Sequence, residues 1–255
     1  MQTETRKQIL PFMIVGLVFV VSYLALLLFE DILQLFMIVS TLLISLFVGF
    51  WGIRLFAKDG FLRNDSFHML NILLSLGLIV SGISESASVI MSQFENGSAF
   101  YFTYSFVLLI ALLFWSVGIL SYLKSSNHIL GFFEEKKLFL YIVLISSVLI
   151  ILSFILIVIV PGQPLRIEML IDLPLSIGFA VLTISSMILI WLFKDGTLSL
   201  SMMFLFGGML LELLRNALWC FLAIIPSNPI SLFIATLGYL SIGGSVAIAH
   251  SLGKF

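Results

Sequence analysis

The chain has 255 residues, of which 61% are hydrophobic and only 10% are charged, and its mean hydropathy is +1.24. This composition excludes a soluble globular protein and predicts an integral membrane protein. A formal net charge of −1 gives no indication of nucleic-acid binding. The partner that the sequence itself predicts is therefore the lipid bilayer.

Eight apolar segments are long enough to cross about 30 Å of hydrocarbon, which takes about 20 residues of helix. They must be helices, because an open sheet would leave backbone groups unpaired in lipid. The predicted spans are residues 8–29, 32–56, 67–91, 101–124, 138–160, 171–193, 197–222 and 229–250. Two adjacent acids, Glu30 and Asp31, mark the break between the first two spans. The predicted fold class is an all-α polytopic membrane bundle of eight transmembrane helices.

The distribution of basic residues predicts the orientation of the chain. With eight spans, one side of the membrane carries Arg6, Lys7, Arg54, Lys58, Arg63, Lys124, Lys136, Lys137, Lys194 and Lys254. The other side carries Arg166 alone. Because short loops rich in Lys and Arg stay in the cytoplasm, both termini are predicted to be cytoplasmic, with the protein in the plasma membrane.

Two pairs of similar short sequences indicate an internal repeat. RLFAKDG at 54–60 and WLFKDG at 191–196 end the second and sixth spans, while SVGI at 116–119 and SVAI at 245–248 lie in the fourth and eighth. Four spans return the chain to its starting side, so a duplication predicts two halves related by a parallel axis along the membrane normal. The predicted units are a first repeat at 1–127, a cytoplasmic linker at 128–137 and a second repeat at 138–255. Chance similarity between apolar segments is the alternative.

Polar residues form one stripe on the third span and one on the seventh. Because each charge within the bilayer costs about 2.5–3.5 kcal/mol, both stripes should face protein or water. Aligning Gly77 with Gly207 places Glu85 opposite Arg215, so we expect Arg215 to join Glu85 and Glu212 in an acid, base, acid cluster. The candidate residues for a ligand or ion site are Asn71, Glu85, Glu212, Arg215, Asn216 and Trp219. The alternative is a purely structural clip between Glu212 and Arg215.

Other features predict packing and not chemistry. The aromatic stretch FYFTYSF at 100–106 indicates an interfacial belt, with a ligand-stacking cluster as the alternative. His68 and His250 are interpreted as interfacial residues, although a haem or metal pair is the alternative. The first and fifth spans should face lipid, and the small residues of the eighth should make the tightest helix contact, with the fourth.

Three classes of function fit these observations. A small-solute or ion permease would use a polar site between two pseudo-symmetric halves. A membrane sensor or an accessory or assembly subunit would act through a partner protein, and an intramembrane enzyme is the third alternative. No cofactor, metal site or catalytic residue is predicted, and association with a second copy of the chain stays open.

Overall fold

A computed structural model describes residues 2–57, 65–92, 97–131, 169–222 and 228–252, together with the single residues 137, 145 and 148. Within these residues the chain forms seven α-helices and no strand. The helices are α1 (Gln2–Leu26), α2 (Glu30–Ala57), α3 (Ser66–Ser92), α4 (Gly97–Leu130), α5 (Met169–Leu192), α6 (Ser199–Leu222) and α7 (Pro229–Leu252). The all-helical fold is as predicted.

Six of these helices, α2 to α7, are long and apolar enough to cross a membrane, and α1 contains the shorter apolar segment Leu10–Leu26. The chain is therefore a multi-pass helical membrane protein. Seven of the eight predicted spans correspond to the seven helices in order, so that α5, α6 and α7 are the sixth, seventh and eighth predicted spans. The predicted fifth span, 138–160, lies outside the described residues apart from 145 and 148, which are helical.

The ends of two helices follow simple local rules. The break predicted at Glu30 and Asp31 is present, and both acids lie in the first turn of α2, where a helix favours negative charge. In contrast, α4 continues six residues past its predicted end and enters the predicted linker. It stops at Gly131, whose φ of 66° suits glycine and whose N–H donates to the Asn127 carbonyl at 2.8 Å.

Six helices form a closed ring. Going round it, each helix from α2 to α7 contacts the next, and α7 returns to contact α2. Helix α1 packs on the outside of the ring, mainly against α7. Much of its surface is exposed, including Met13, Leu17 and Val21, as expected of a helix that faces lipid.

Helices α4 and α5, which are neighbours in the ring, run in the same direction. Trp115 of α4 lies beside Phe179 of α5, with ring centroids 6.1 Å apart. Farther along, Tyr122 of α4 stacks on Phe193, the residue that follows the end of α5, with centroids 5.9 Å apart. Residue numbers therefore rise together along the two helices, so the end of α4 and the start of α5 lie at opposite ends of the bundle.

Helices α2 and α7 also run in the same direction. The hydroxyl oxygens of Thr41, in the first half of α2, and Thr236, in the first half of α7, are 2.7 Å apart. Near the ends of both helices, the ring of Phe56 meets that of His250 edge-on at 5.7 Å. The ring thus contains two parallel helix pairs, placed opposite each other.

Helix α7 packs closely, although not against the partner predicted for it. A side chain at Gly208 of α6 would place its Cβ 3.0 Å from the carbonyl oxygen of Gly238 of α7, so the two backbones approach closely there. The prediction that this helix packs against α4 is wrong: among the described residues α7 contacts α6, α2, α1 and α3. The reason is geometric, because α4 and α7 occupy opposite positions in the six-membered ring.

Candidate functional site

The centre of the bundle contains a charged cluster of Glu85, Glu212 and Arg215. Nη1 of Arg215 lies 2.6 Å from Oε1 of Glu85 and 3.6 Å from Oε2 of Glu212. All three side chains are buried, with exposed fractions of 2%, 1% and 4% for Glu85, Glu212 and Arg215. The contact predicted between the third and seventh spans is present, and the seventh span contributes both an acid and the base.

Helical geometry explains how these residues meet. Glu212 and Arg215 are three residues apart on α6, so both project from one face. Glu85 lies seven residues before the end of α3, and Arg215 lies seven before the end of α6. Each is therefore about 10 Å from its helix end, and equal depth allows the two side chains to meet across the ring.

Two tyrosines and a serine complete the surroundings of Arg215. Tyr239 of α7 donates a hydrogen bond to Oε1 of Glu85 at 3.0 Å and accepts one from Nη1 of Arg215 at 3.4 Å. Nε of Arg215 donates to the hydroxyl of Ser231 at 3.0 Å. The guanidinium also lies over the ring of Tyr104 of α4, 5.8 Å from its centroid, a cation–π contact.

The guanidinium does not contact the two acids through two different nitrogen atoms. Nη1 alone approaches both carboxylates, and Nη2 has no hydrogen-bond partner. Oε2 of Glu85 and Oε1 of Glu212 are likewise buried without a partner. Leaving buried polar atoms unpaired costs about 1–3 kcal/mol each, more for charged groups. These three atoms would therefore each gain from a further hydrogen-bond partner.

A small cavity adjoins the cluster on the side of Glu212 and Asn216. Its volume is about 10 Å³, enough for about one water molecule. Its lining also includes Tyr104, Phe179 and Ser231. Asn216 itself is held by a hydrogen bond from its side-chain amide to the hydroxyl of Ser176 on α5.

One of the six candidate residues, Asn71, stands apart from this cluster. Asn71 is buried, but it lies 14 residues before Glu85 on α3, about 21 Å along the helix. Its side-chain amide donates to the Phe67 carbonyl at 2.8 Å, a bond within its own helix. Trp219 lies on α6 one turn beyond Arg215, and its side chain is outside the described residues.

Sequence reasoning missed the residues that surround the arginine. The aromatic-belt interpretation is wrong for Tyr104, which is buried beneath the guanidinium instead of lying at the interface. Tyr239 lies among the small residues of TLGYLSIGG at 236–244, a pattern that indicates close helix packing and not a polar site. The signal was present in both stretches, since a tyrosine buried within a membrane helix needs a partner for its hydroxyl.

The two histidines considered for a metal or haem pair share a neighbour. The rings of His68 and His250 each meet the ring of Phe56 edge-on, with centroids 5.4 and 5.7 Å away. In the described part of the chain no group of three or more His, Cys, Asp or Glu side chains is arranged to hold a metal ion. These contacts indicate that both histidines have a packing role.

The fold and the cluster define a class, a multi-pass helical membrane protein with charged residues buried in the centre of its bundle. Comparison with models of known protein families, with curated proteins and with solved structures finds no match. Its function must therefore be inferred from the cluster and from the arrangement of the helices.

Proposed function

We propose that the chain is a small-solute or ion permease built from two pseudo-symmetric halves, with its polar site between them. The halves are residues 1–127 and 138–255, joined by a cytoplasmic linker, and each contributes four helices to an eight-helix bundle. The observation that carries this proposal is the contact of 2.6 Å between Glu85 and Arg215.

The contact supports two related halves because of where the two residues lie in the sequence. The register that aligns Gly77 with Gly207 makes Glu85 and Arg215 counterparts in the two halves. Counterpart residues touch only where they lie on the axis that relates the halves. The contact therefore supports a parallel two-fold axis passing through the cluster, which is where a transport site between repeats would lie.

The packing of the helices supports the same symmetry. If α2, α3 and α4 correspond to α5, α6 and α7, the contact of α2 with α3 matches that of α5 with α6, and α3 with α4 matches α6 with α7. The parallel contact of α4 with α5 then matches that of α7 with α2. Counterpart helices also lie opposite each other in the ring, as a central two-fold axis requires.

Residues in the similar sequences of the two halves also make corresponding contacts. Phe56 ends the RLF of the first half, and Phe193 ends the WLF of the second. The ring of Phe56 meets that of His250 on α7, and the ring of Phe193 meets that of Tyr122 on α4. These are the two helix pairs that the symmetry would exchange.

The direction of α5 supports the fifth span. Because α4 and α5 are parallel, the segment between them, 132–168, has to connect opposite ends of the bundle. A helix at 138–160 would make that connection in one crossing. It would give each half four helices and would leave both termini on the cytoplasmic side, as the distribution of Lys and Arg favours.

This topology predicts the outcome of cysteine labelling. In a Cys220→Ala background, cysteine is introduced at Leu28, which is 89% exposed between α1 and α2, and at Ile129, which is 78% exposed near the end of α4. A reagent that does not cross the membrane should label position 28 in intact cells and position 129 only after lysis. Labelling of position 129 from outside would overturn the orientation.

Vesicle experiments would test the permease proposal itself. Purified protein is reconstituted, and swelling in potassium chloride, sodium chloride, urea and glycerol is followed by light scattering, with a pH-sensitive dye inside for proton entry. At least one solute or the proton should enter faster than in protein-free vesicles, and Glu85→Gln should remove the gain. Met69→Leu on the exposed face of α3 is the matched control. Equal entry in all vesicles would contradict the proposal.

One observation favours the second candidate, a membrane sensor or accessory subunit that acts through a partner. The cavity beside the cluster has room for about one water molecule and for no larger solute in this conformation. A subunit that only receives or transmits a signal needs no wider passage. Absence of any transport in vesicles, together with a stable fold, would favour this candidate.

A further inference from the structure

We propose that Glu212 holds an exchangeable proton, so that the ligand bound by the cluster is a proton. The binding step adds one proton from water to a carboxylate oxygen of Glu212 and changes the charge of that side chain from −1 to zero. The claim that this proton is transported, or is coupled to transport, rests on the permease proposal. The claim that it binds rests only on the geometry of the cluster.

The charge balance of the cluster calls for one added positive charge. Two ionised glutamates beside one arginine carry a net charge of −1. A net charge buried in a low-dielectric interior is strongly unfavourable, so such groups are normally neutralised by a counterion or a proton. One proton shared with the cluster makes it neutral without any further residue.

The contacts decide which glutamate is the better proton acceptor. Glu85 has both the short ion pair with Arg215 and the hydrogen bond from Tyr239, so two donors already approach its Oε1. Glu212 is 3.6 Å from the same nitrogen of Arg215, and its Oε1 has no hydrogen-bond partner. Burial with weaker compensation disfavours the ionised form of Glu212.

The surroundings of Glu212 limit what else could neutralise it. The described titratable and charged groups that face it are Glu85 from α3, Tyr104 from α4, Arg215 on its own helix and Tyr239 from α7. None of them adds a second cation. The adjoining cavity of about 10 Å³ has room for a water molecule that could deliver the proton, but not for an organic cation.

Infrared spectroscopy of the purified protein in lipid would test this inference. At neutral pH the protein should show the carbonyl stretch of a protonated, buried carboxyl group, and Glu212→Gln should remove it. Glu212→Asp should move the band, because the acid that carries the proton is then different. Glu85→Asp tests the other acid and should not produce the shift that Glu212→Asp does, whereas Met69→Leu is the matched control and should leave the band in place.

Three results would overturn the proton site. They are the lack of such a band in the unaltered protein, a band that moves with Glu85→Asp and not with Glu212→Asp, and loss of the band when sodium chloride is added at fixed pH. The last result would replace the proton with a metal cation. Because no transport is measured, a protonated Glu212 in a protein that moves no solute would refute the permease and keep the proton site.

Discussion

Replacing Arg215 with methionine should lower the free energy of unfolding by about 3–5 kcal/mol, the cost typical of removing one partner from a buried ion pair. The variant would leave Glu85 and Glu212 buried together with no cation. Methionine fills much of the space of the arginine stem, so the loss would report the missing charge more than a cavity. Thermal and denaturant unfolding in the same detergent would measure it.

The response of this variant to pH gives a second check. Without Arg215 the folded protein can keep Glu85 and Glu212 buried only by binding protons that the unfolded chain releases near neutral pH. The folded state then binds more protons than the unfolded state, so the stability of the variant should rise as the pH falls. The difference from the unaltered protein should accordingly shrink in acid.

Two companion variants separate charge from packing. Leu214→Met changes the neighbouring residue, which is about half exposed on the outer face of α6, and should alter stability by less than about 0.5 kcal/mol. Glu85→Gln combined with Arg215→Met leaves one acid instead of two and should recover part of the loss. An Arg215→Met protein as stable as the original at neutral pH would show that the ion pairs contribute little.

The sequence was sufficient to predict most of the helices and one long-range contact. Span lengths are imposed by the thickness of the bilayer, so apolar runs bounded by polar residues mark the ends of the described helices to within six residues. The cost of burying Arg215 in hydrocarbon required a partner, and the repeat register identified Glu85 as that partner. Both predictions depended on constraints that the membrane imposes on any sequence.

The remaining features depend on packing that a single sequence does not specify. Tyr104 and Phe106 are two residues apart in the same aromatic stretch, yet the first is buried beneath Arg215 and the second is half exposed. Helix α4 can be rotated about its axis without changing its hydropathy, so the pattern alone does not choose between them. The order of the helices around the ring could not be predicted from the sequence for a similar reason, because many circular arrangements bury the same small residues.

Exchanging the two charges provides the strictest test of the proposed symmetry between the halves. In a Glu212→Gln background, Glu85→Arg alone should place two arginines in contact, and Arg215→Glu alone should place two glutamates in contact. Each single exchange should strongly destabilise the fold, because like charges would be buried together. The double exchange should restore much of the stability, with a coupling free energy of about 3 kcal/mol between the two positions.

The rescue is expected because the proposed repeat would make the two positions equivalent. If a two-fold axis relates them, their Cα atoms are equally distant from the axis and at equal depth. Exchanging the longer arginine for the shorter glutamate then leaves the total reach of the pair unchanged. Two unrelated positions would not tolerate the exchange so well, because one side chain would fall short and the other would be compressed. A double exchange no more stable than either single one would mean that Glu85 and Arg215 are not counterparts, and the contact between them would no longer support a repeat.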